Sequence, residues 1–400
     1  MNPSVRTKLS LMMFLQYFIW GAWFVTGYTF LTRKMGFTDV QAASCNATTN
    51  LAAMIAPFFM GMIADRFFAA ERVLGVLHLL GALFIYLASQ QTTFGSFYPL
   101  LLAHTLCYMP TMALTNSVAF AQMSNPNQQF PGIRVLGTIG WIIVGKLVSM
   151  LKIDLDVRIF HVAAIAGIVL GIFSFMLPHT PPRAKGTKAS ISSILGLDAL
   201  SLMKDRSFTI FMIGSFLICI PLAFYYNLTS SFLTDRGVTD LGDKMGWGQM
   251  SEIFFMLVFP LFFARMGVKW MLVAGMVAWA GRYFLFATHE AGSPMWPVYL
   301  GVILHGICYD FFFVTGQVYV DERADAKIRS AAQGLIAFAT YGLGMFVGSY
   351  IQGAVAEKYT VDGVKAWDKI WMIPAVGSIG VLLLFMAFFR SPSAAKKVEA

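Results

Sequence analysis

The chain has too few charged residues for a soluble protein of its size. Asp, Glu, Lys and Arg make up 12% of its 400 residues, whereas the share in ordinary globular proteins is about 25%. Hydrophobic residues make up 58%, so a soluble fold could not cover its own surface with polar side chains. The composition therefore excludes a soluble enzyme and indicates a protein whose outer surface faces lipid.

Residues that commonly build metal, disulfide or nucleotide sites are also scarce. The four cysteines lie at unrelated spacings within apolar stretches, which is typical of small packing residues, and the six histidines form no ligand cluster. No Gly-x-x-x-x-Gly-Lys loop is present, which excludes an ATP-driven pump made by this chain alone. We therefore expect no cofactor and no metal.

The net charge of +9 does not indicate nucleic-acid binding. No segment combines clustered basic residues with the polar surface that such binding needs. The charge is better explained by the distribution of Lys and Arg between membrane-spanning segments, and we expect membrane lipid as the surrounding partner.

Twelve apolar stretches are long enough to span a membrane, for which about 20 helical residues are needed. Helices are expected because a barrel would show short alternating strands. The first stretch has no small-residue cleavage site, so it is predicted to be a retained helix. The predicted spans are 9–31, 40–64, 72–90, 97–121, 133–151, 159–178, 207–232, 247–264, 269–288, 295–319, 330–352 and 370–389.

Lys and Arg concentrate on one side of these spans. The N-terminus, every second loop and the C-terminal tail are basic, and the richest segment contains Arg183, Lys185, Lys188, Lys204 and Arg206. Because basic loops stay on the cytoplasmic side, both termini are predicted to be cytoplasmic.

That basic segment also divides the spans into six and six. We predict an N-terminal six-helix bundle over residues 1–180, a linker over 181–206 and a C-terminal six-helix bundle over 207–400. Ser193 to Met203 has helical periodicity and is predicted to lie along the membrane interface. The alternative is a disordered tether throughout.

The two halves contain similar short sequences in the same order. His104 to Tyr108 reads His-x-x-Cys-Tyr, and the same pattern recurs at His305 to Tyr309, about 200 residues later. Two other short matches occur at similar offsets. Parallel repeats of this kind build secondary transporters, with the substrate site near the midplane between the halves.

The loop after the second span resembles a motif of the major facilitator superfamily. Gly61, Asp65 and Arg66 fit its G-x-x-x-D-[RK] pattern. The resemblance implies a conformational latch, in which Asp65 meets the end of a neighbouring helix while Arg66 stays at the anionic leaflet. The later part of the motif is replaced by Phe68, Ala69 and Ala70.

More specific sequences resemble the nucleoside:proton symporter family, the bacterial nucleoside permeases. The matching segments run nearly from end to end and are residues 14–23, 108–111, 130–141, 195–199, 249–252, 278–282, 310–312 and 329–334. The resemblance implies an all-α membrane protein with twelve transmembrane helices in two six-helix bundles. It further implies proton-coupled nucleoside import across the bacterial inner membrane by alternating access, driven by the proton gradient without a cofactor. We expect a monomer.

The same resemblance implies a set of substrate-binding residues. Arg134, Thr138, Gln249, Glu252 and Asp310 match the polar contacts of the family, while Trp141 and Tyr309 stand where the family commonly has Phe. Two regions depart from the pattern. Either Tyr226, Asn227 and His305 rebuild the contacts with the substrate, or the protein binds a different base or sugar.

Helical spacing supports part of this set independently. Arg134, Thr138 and Trp141 are spaced i, i+4, i+7, and Gln249 and Glu252 are spaced i, i+3, so each group shares one helix face. Hydrogen bonds between packed helices are the alternative role for Thr138 and Gln249. Lipid headgroup contact is the alternative for Arg134.

Four ionisable residues fall well inside predicted spans: Lys146, Glu252, Arg282 and Asp310. Such residues are costly in a membrane and usually functional. Asp310 lies near the middle of its span, and desolvation favours the protonated form of an unpaired carboxyl, so we predict Asp310 as the principal proton site and Glu252 as a second coupling group. The alternative is a permanent ion pair of Asp310 with Arg282 or Arg134. Snorkelling to the membrane surface is the alternative for Lys146 and Arg282.

Two other functions are compatible with the sequence. One is proton-coupled symport of a sugar or another small polar solute. The other is a membrane sensor that keeps the fold and binds without transporting.

Overall fold

The structure is a computed structural model that describes residues 2–59, 67–182, 197–325 and 328–390. The predicted latch residues Gly61, Asp65 and Arg66 lie outside the described residues, as do the first four residues of the predicted interfacial helix. The described part of that helix forms a 3-10 helix, Leu197–Lys204. We call residues 2–182 the first half and residues 197–390 the second half.

The first half contains six long helices. A helix cap begins the first of them, because the Asn2 side chain accepts a hydrogen bond from the Ser4 backbone and Pro3 occupies the first turn. A four-residue helix, Pro126–Gln129, precedes the fifth. The six helices are α1 (Pro3–Arg33), α2 (Asp39–Phe59), α3 (Ala70–Ser89), α4 (Phe94–Ala121), α5 (Pro131–Met150) and α6 (Arg158–Ser174).

The second half contains longer and more irregular helices. Asp205 caps α7 by accepting a hydrogen bond from the Phe208 backbone at 2.8 Å. Gly267 divides α8 into two arms, 241–266 and 268–287, with a backbone φ of 65° that favours glycine. The helices are α7 (Arg206–Asp235), α8 (Leu241–Ala287), α9 (Trp296–Arg323), α10 (Arg329–Ala337 continuing through Met345–Lys358) and α11 (Trp367–Phe388).

Two of these helices contain a π-helical turn. In α9 the turn covers Asp310–Val314, and in α10 it covers Phe338–Gly344. A π turn shifts the hydrogen-bond register of a helix and is frequent at functional sites. Both turns adjoin the cavity described below.

Among the described residues, eight helices are long and apolar enough to cross a membrane. Two of the twelve predicted spans fall on the two arms of α8 and are counted together. The predicted spans outside this set lie on α2, α4 and α6. Both α2 and α4 carry buried polar residues that lower their hydropathy, and α6 has only 17 residues. The chain is thus mostly helical and membrane-embedded.

Hydrogen bonds between the halves form a buried network that we call the polar lock: Tyr28, Asp39, Asn46, Asn227, Gln352 and Lys365. The Asn46 amide donates to Asn227 at 2.9 Å, and the Gln352 amide donates to the Tyr28 hydroxyl at 3.1 Å. Within the halves, Tyr28 donates to Asp39 at 2.6 Å and Asn227 donates to Gln352 at 2.8 Å. The lock therefore joins α1 and α2 to α7 and α10.

A short hairpin completes the lock with an ion pair. Strands β1 (Thr360–Val361) and β2 (Val364–Lys365) pair in antiparallel register. The two residues between them, Asp362 and Gly363, both have positive φ, as a tight hairpin turn requires. The turn directs the Lys365 ammonium to the Asp39 carboxylate, and both side chains are buried.

A second contact between the halves joins the end of α5 to the start of α8, and we call it the glycine seam. A Cβ atom on Gly145 would lie 2.7 Å from the carbonyl oxygen of Gly242, so the two backbones touch. Asp154 accepts a hydrogen bond from the Gly242 backbone at 2.8 Å, which caps α8 from the other half. Burial raises the pKa of the Asp154 carboxyl, while its hydrogen bonds to Gly242 and Ser149 act against that rise.

All these contacts lie toward the end of the molecule where α1 ends and α8 begins. Arg33 and Asp235 form an ion pair at the same end, with a shortest distance of 2.5 Å. At the opposite end, where α1 begins, no hydrogen bond joins the two halves among the described residues. The halves are thus interlocked at one end only.

Candidate functional site

A cavity of about 350 Å³ lies between the two halves, at the depth where the interlocked region stops. Its walls come from α1, α2, α4 and α5 of the first half and from α7, α8, α9 and α10 of the second. In transporters that are built from two repeated halves, the substrate site lies between the halves.

Seven of the residues that the sequence predicts for the substrate site line this cavity. They come from four different helices, so their side chains meet only in the folded chain. The seven are Arg134, Thr138, Trp141, Tyr226, Gln249, Glu252 and Tyr309. Their roles in binding stay predictions.

Several polar side chains of the cavity have no hydrogen bond or ion pair within the described part of the chain. Arg134 and Glu252, the two charged side chains that line it, form no ion pair with each other in the described part of the chain, and the Arg134 guanidinium lies 4.1 Å above the Tyr17 ring. The Gln249 side-chain oxygen is buried without a hydrogen-bond partner. These groups are available to a polar solute.

Aromatic rings form a continuous apolar surface across the two halves. Trp20 meets Trp141 edge to face at 5.4 Å, and Phe24 meets Trp141 at 6.3 Å. Phe24 also meets Tyr226 of the second half at 6.0 Å. The cavity thus combines flat aromatic faces, which suit stacking, with hydrogen-bonding groups.

Ten further lining residues were not predicted from the sequence, and six of them are aromatic or polar: Tyr17, Trp20, Phe24, Thr49, Asn50 and Tyr341. The three on α1 are spaced i, i+3, i+7, which is the spacing of one helix face. That pattern was visible in the sequence, but an aromatic stripe is equally typical of helix packing. Nothing in the local sequence distinguishes Asn50 or Tyr341.

Two predicted contacts do not line the cavity. Asn227 is 1% exposed and uses both its amide nitrogen and its oxygen in the polar lock. His305 is 1% exposed and stacks on Tyr225 at 5.1 Å, behind Tyr226. The structure therefore places them next to the wall and not in it.

Asp310 is fully buried in the second half, directly after the lining residue Tyr309. It begins the π-helical turn of α9. Neither carboxylate oxygen has a hydrogen-bond partner among the described residues, so the alternative of an ion pair with Arg282 or Arg134 is wrong. An unpaired ionisable group inside a membrane-spanning segment is a functional-site hypothesis by default.

Arg282 does not snorkel, and that alternative is also wrong. The side chain is fully buried, and its guanidinium lies 3.9 Å from the centre of the Tyr225 ring. Its three nitrogens have no hydrogen-bond partner among the described residues. Lys146, by contrast, is exposed at the outer face of α5, in keeping with snorkelling.

The whole chain matches the sequence pattern of one transporter family. A family model described as "Nucleoside H+ symporter" matches residues 3–394. The chain belongs to the nucleoside H+ symporter family. It is therefore a multi-pass membrane transporter and not an enzyme.

Individual members of the family are similar over nearly their full length. YegT of Escherichia coli (strain K12) is 44% identical over 97% of this chain and 94% of its own. The xanthosine permease of the same organism is 32% identical over 99% of this chain and 98% of its own. The crystal structure of the nucleoside transporter NupG superposes with a TM-score of 0.88 at 30% identity, covering 98% of this chain and 100% of that one.

Proposed function

We propose that this protein is a proton-coupled symporter that imports nucleosides across the bacterial cytoplasmic membrane. The observation that carries the proposal is the cavity between the halves, in which free polar groups face an aromatic surface. A ribose needs donors and acceptors for its hydroxyls, and a base needs a flat apolar surface. Family membership and the full-length similarity to nucleoside transporters support the same conclusion.

The polar side of the cavity is the proposed sugar site. Arg134, Thr138, Gln249 and Glu252 supply both donors and acceptors there. Trp141, Tyr226 and Tyr309 supply the aromatic contacts with the base. Asn227 and His305 act through the neighbouring wall residues, because neither of them reaches the cavity.

Asp310 is the proposed principal proton site, with Glu252 as the second coupling group. Asp310 is buried without a partner, which favours its protonated form, and it adjoins Tyr309 in the cavity wall. Substrate binding and proton binding would thus be linked over a short path. The proton gradient drives transport, and no cofactor takes part.

The proposed architecture has twelve transmembrane helices in two six-helix bundles, residues 1–180 and 207–400, joined by a linker over 181–206. The internal repeats and the helices on every predicted span support it. The basic loops favour cytoplasmic termini. The protein acts as a monomer within lipid, and Gly61, Asp65 and Arg66 form the proposed cytoplasmic latch.

With that orientation, the interlocked end faces outward. The polar lock and the glycine seam then close the outer entrance, whereas the halves share no hydrogen bond at the cytoplasmic end among the described residues. These contacts support an inward-facing state of the proposed alternating-access cycle. Import requires that these outer contacts break and re-form in every cycle.

Uptake of labelled uridine or adenosine into energised membrane vesicles tests the proposal. We expect accumulation above equilibrium that collapses when a protonophore is added. Accumulation of pentoses without nucleosides would favour a sugar symporter instead. Binding of nucleosides without any uptake would favour a sensor.

A further inference from the structure

Two tyrosines in the cavity wall form a hydroxyl pair that none of the predicted contacts explains. The Tyr341 hydroxyl on α10 donates a hydrogen bond to the Tyr309 hydroxyl on α9 at 2.7 Å. Both residues line the cavity, and neither is fully buried. The pair therefore places polar atoms within an otherwise apolar wall.

Two neighbouring residues, Asn50 and Phe313, hold the pair in position through three contacts. The Asn50 amide of the first half donates to the backbone carbonyl of Tyr341 at 2.7 Å, where the π-helical turn interrupts the normal bonding of α10. The Tyr341 ring stacks on the buried Phe313 ring at 5.0 Å, and Phe313 also meets Tyr309 at 5.1 Å. A group fixed in this way loses little entropy when it binds a ligand.

One hydroxyl proton of the pair remains free. Two phenols carry two O–H donors, and the bond between them uses one. Within the described residues, no other hydrogen bond involves either hydroxyl, and the Glu252 carboxylate on the same cavity lies beyond hydrogen-bonding distance. The remaining phenol O–H can therefore donate only to a molecule that occupies the cavity.

We propose that the Tyr309–Tyr341 pair is a specificity element that donates a hydrogen bond to an acceptor on the edge of the nucleobase. This inference rests on the proposed function, in which Arg134, Gln249 and Glu252 hold the sugar and leave the base against the aromatic wall. A purely aromatic wall would accept every base by stacking. A fixed donor instead discriminates against a base that lacks the matching acceptor, because the donor would lose its partner.

The decisive variant is the double substitution Tyr309→Phe/Tyr341→Phe, which removes both donors and keeps both rings. The probes are the nucleoside transported best and analogues in which one base acceptor at a time is replaced by C–H; for adenosine these are the 1-, 3- and 7-deaza forms. Each analogue competes against uptake of the labelled parent nucleoside. We expect one analogue to compete about tenfold more weakly than the parent nucleoside in the unaltered protein, the ratio for one lost hydrogen bond.

In the double variant, this analogue should compete within about twofold of the parent nucleoside, because the hydrogen bond that causes the difference is gone. The single variants then show which hydroxyl faces the base. Tyr319→Phe is the matched control, because Tyr319 is a buried tyrosine of α9 that does not line the cavity, and it should leave the ratio unchanged.

Two results would overturn the inference: equal competition by all analogues in the unaltered protein, or a difference that persists in the double variant. A ratio is measured in each case, so a general loss of folding or turnover would not imitate the expected result. Absence of any proton-dependent nucleoside uptake in the unaltered protein would contradict the proposed function itself and is therefore distinguishable.

Discussion

Two polar regions lie inside this protein, and they differ in how many of their hydrogen-bonding groups are paired. Each of the six side chains of the polar lock has a hydrogen-bond partner within the lock, and among the described residues only the Asn46 oxygen of these side chains is buried without one. In the cavity and behind it, the Gln249 oxygen, both Asp310 oxygens, both His305 nitrogens and all three Arg282 nitrogens have no such partner among the described residues.

The difference shows what each region contributes. Paired polar groups in a low-dielectric interior stabilise one arrangement of the helices that carry them. Unpaired groups there are costly unless something else satisfies them. We interpret the lock as the element that stabilises the present conformation, and the unpaired groups as those that await a substrate or a proton.

The largest effect is expected from Asp310→Asn, which removes the unpaired carboxyl and keeps its shape. Accumulation driven by a pH gradient should be lost, with a drop of at least about tenfold, because the variant cannot bind and release the coupled proton. Exchange of nucleoside at equal concentrations should remain measurable. Proton-driven accumulation at the level of the unaltered protein would refute the assignment of Asp310.

The second largest effect is expected from Asp39→Ala, which breaks the ion pair of the polar lock. The substitution leaves the buried Lys365 ammonium without its partner, which costs roughly 3–5 kcal/mol for a fully buried pair. We expect faster hydrogen exchange of the backbone around residues 349–361 and slower uptake. The double variant Asp39→Asn/Lys365→Gln should recover much of the lost uptake, because no unpaired charge remains. Equally slow uptake in both variants would mean that the ion pair has no special part in closing the outer entrance.

Gly242→Ala tests the glycine seam, with a smaller expected effect. A Cβ atom there would clash with the Gly145 backbone, so the ends of α5 and α8 must separate, at a cost of about 1–3 kcal/mol. Uptake should slow and the melting temperature should fall. Gly246→Ala, one turn further along α8, is the control, since a Cβ atom there would meet nothing within 4 Å; similar losses in both would show that helix α8 tolerates no change at all.

The smallest effect is expected from Lys146→Gln. This side chain is exposed on the outer face of α5 and belongs to neither polar region, so the change in stability should stay within about 0.5 kcal/mol. Uptake and melting temperature should both match the unaltered protein. A large loss of uptake would show that a third polar region exists on the lipid-facing side.

Several features of the fold and site were accessible from the sequence because they depend on local pattern. Long apolar stretches and few charges predict a helical membrane protein, and the helical spacing of Arg134, Thr138 and Trp141 predicts a shared face that does line the cavity. Family resemblance added lining residues from three other helices, α7, α8 and α9. Lys146 and Arg282 show the limit of prediction from local pattern. Both lie at similar distances from the ends of their predicted spans, yet only Lys146 reaches the surface.

What the tertiary structure alone decided is which polar residues meet. Tyr226 and Asn227 are neighbours in the sequence, yet Tyr226 lines the cavity and Asn227 belongs to the lock, because consecutive residues of an α-helix point about 100° apart. Composition and periodicity determined that the chain is a helical membrane protein, since those depend on residue type and spacing. The rotation of each helix about its axis depends on packing against helices hundreds of residues away, and no local pattern records it.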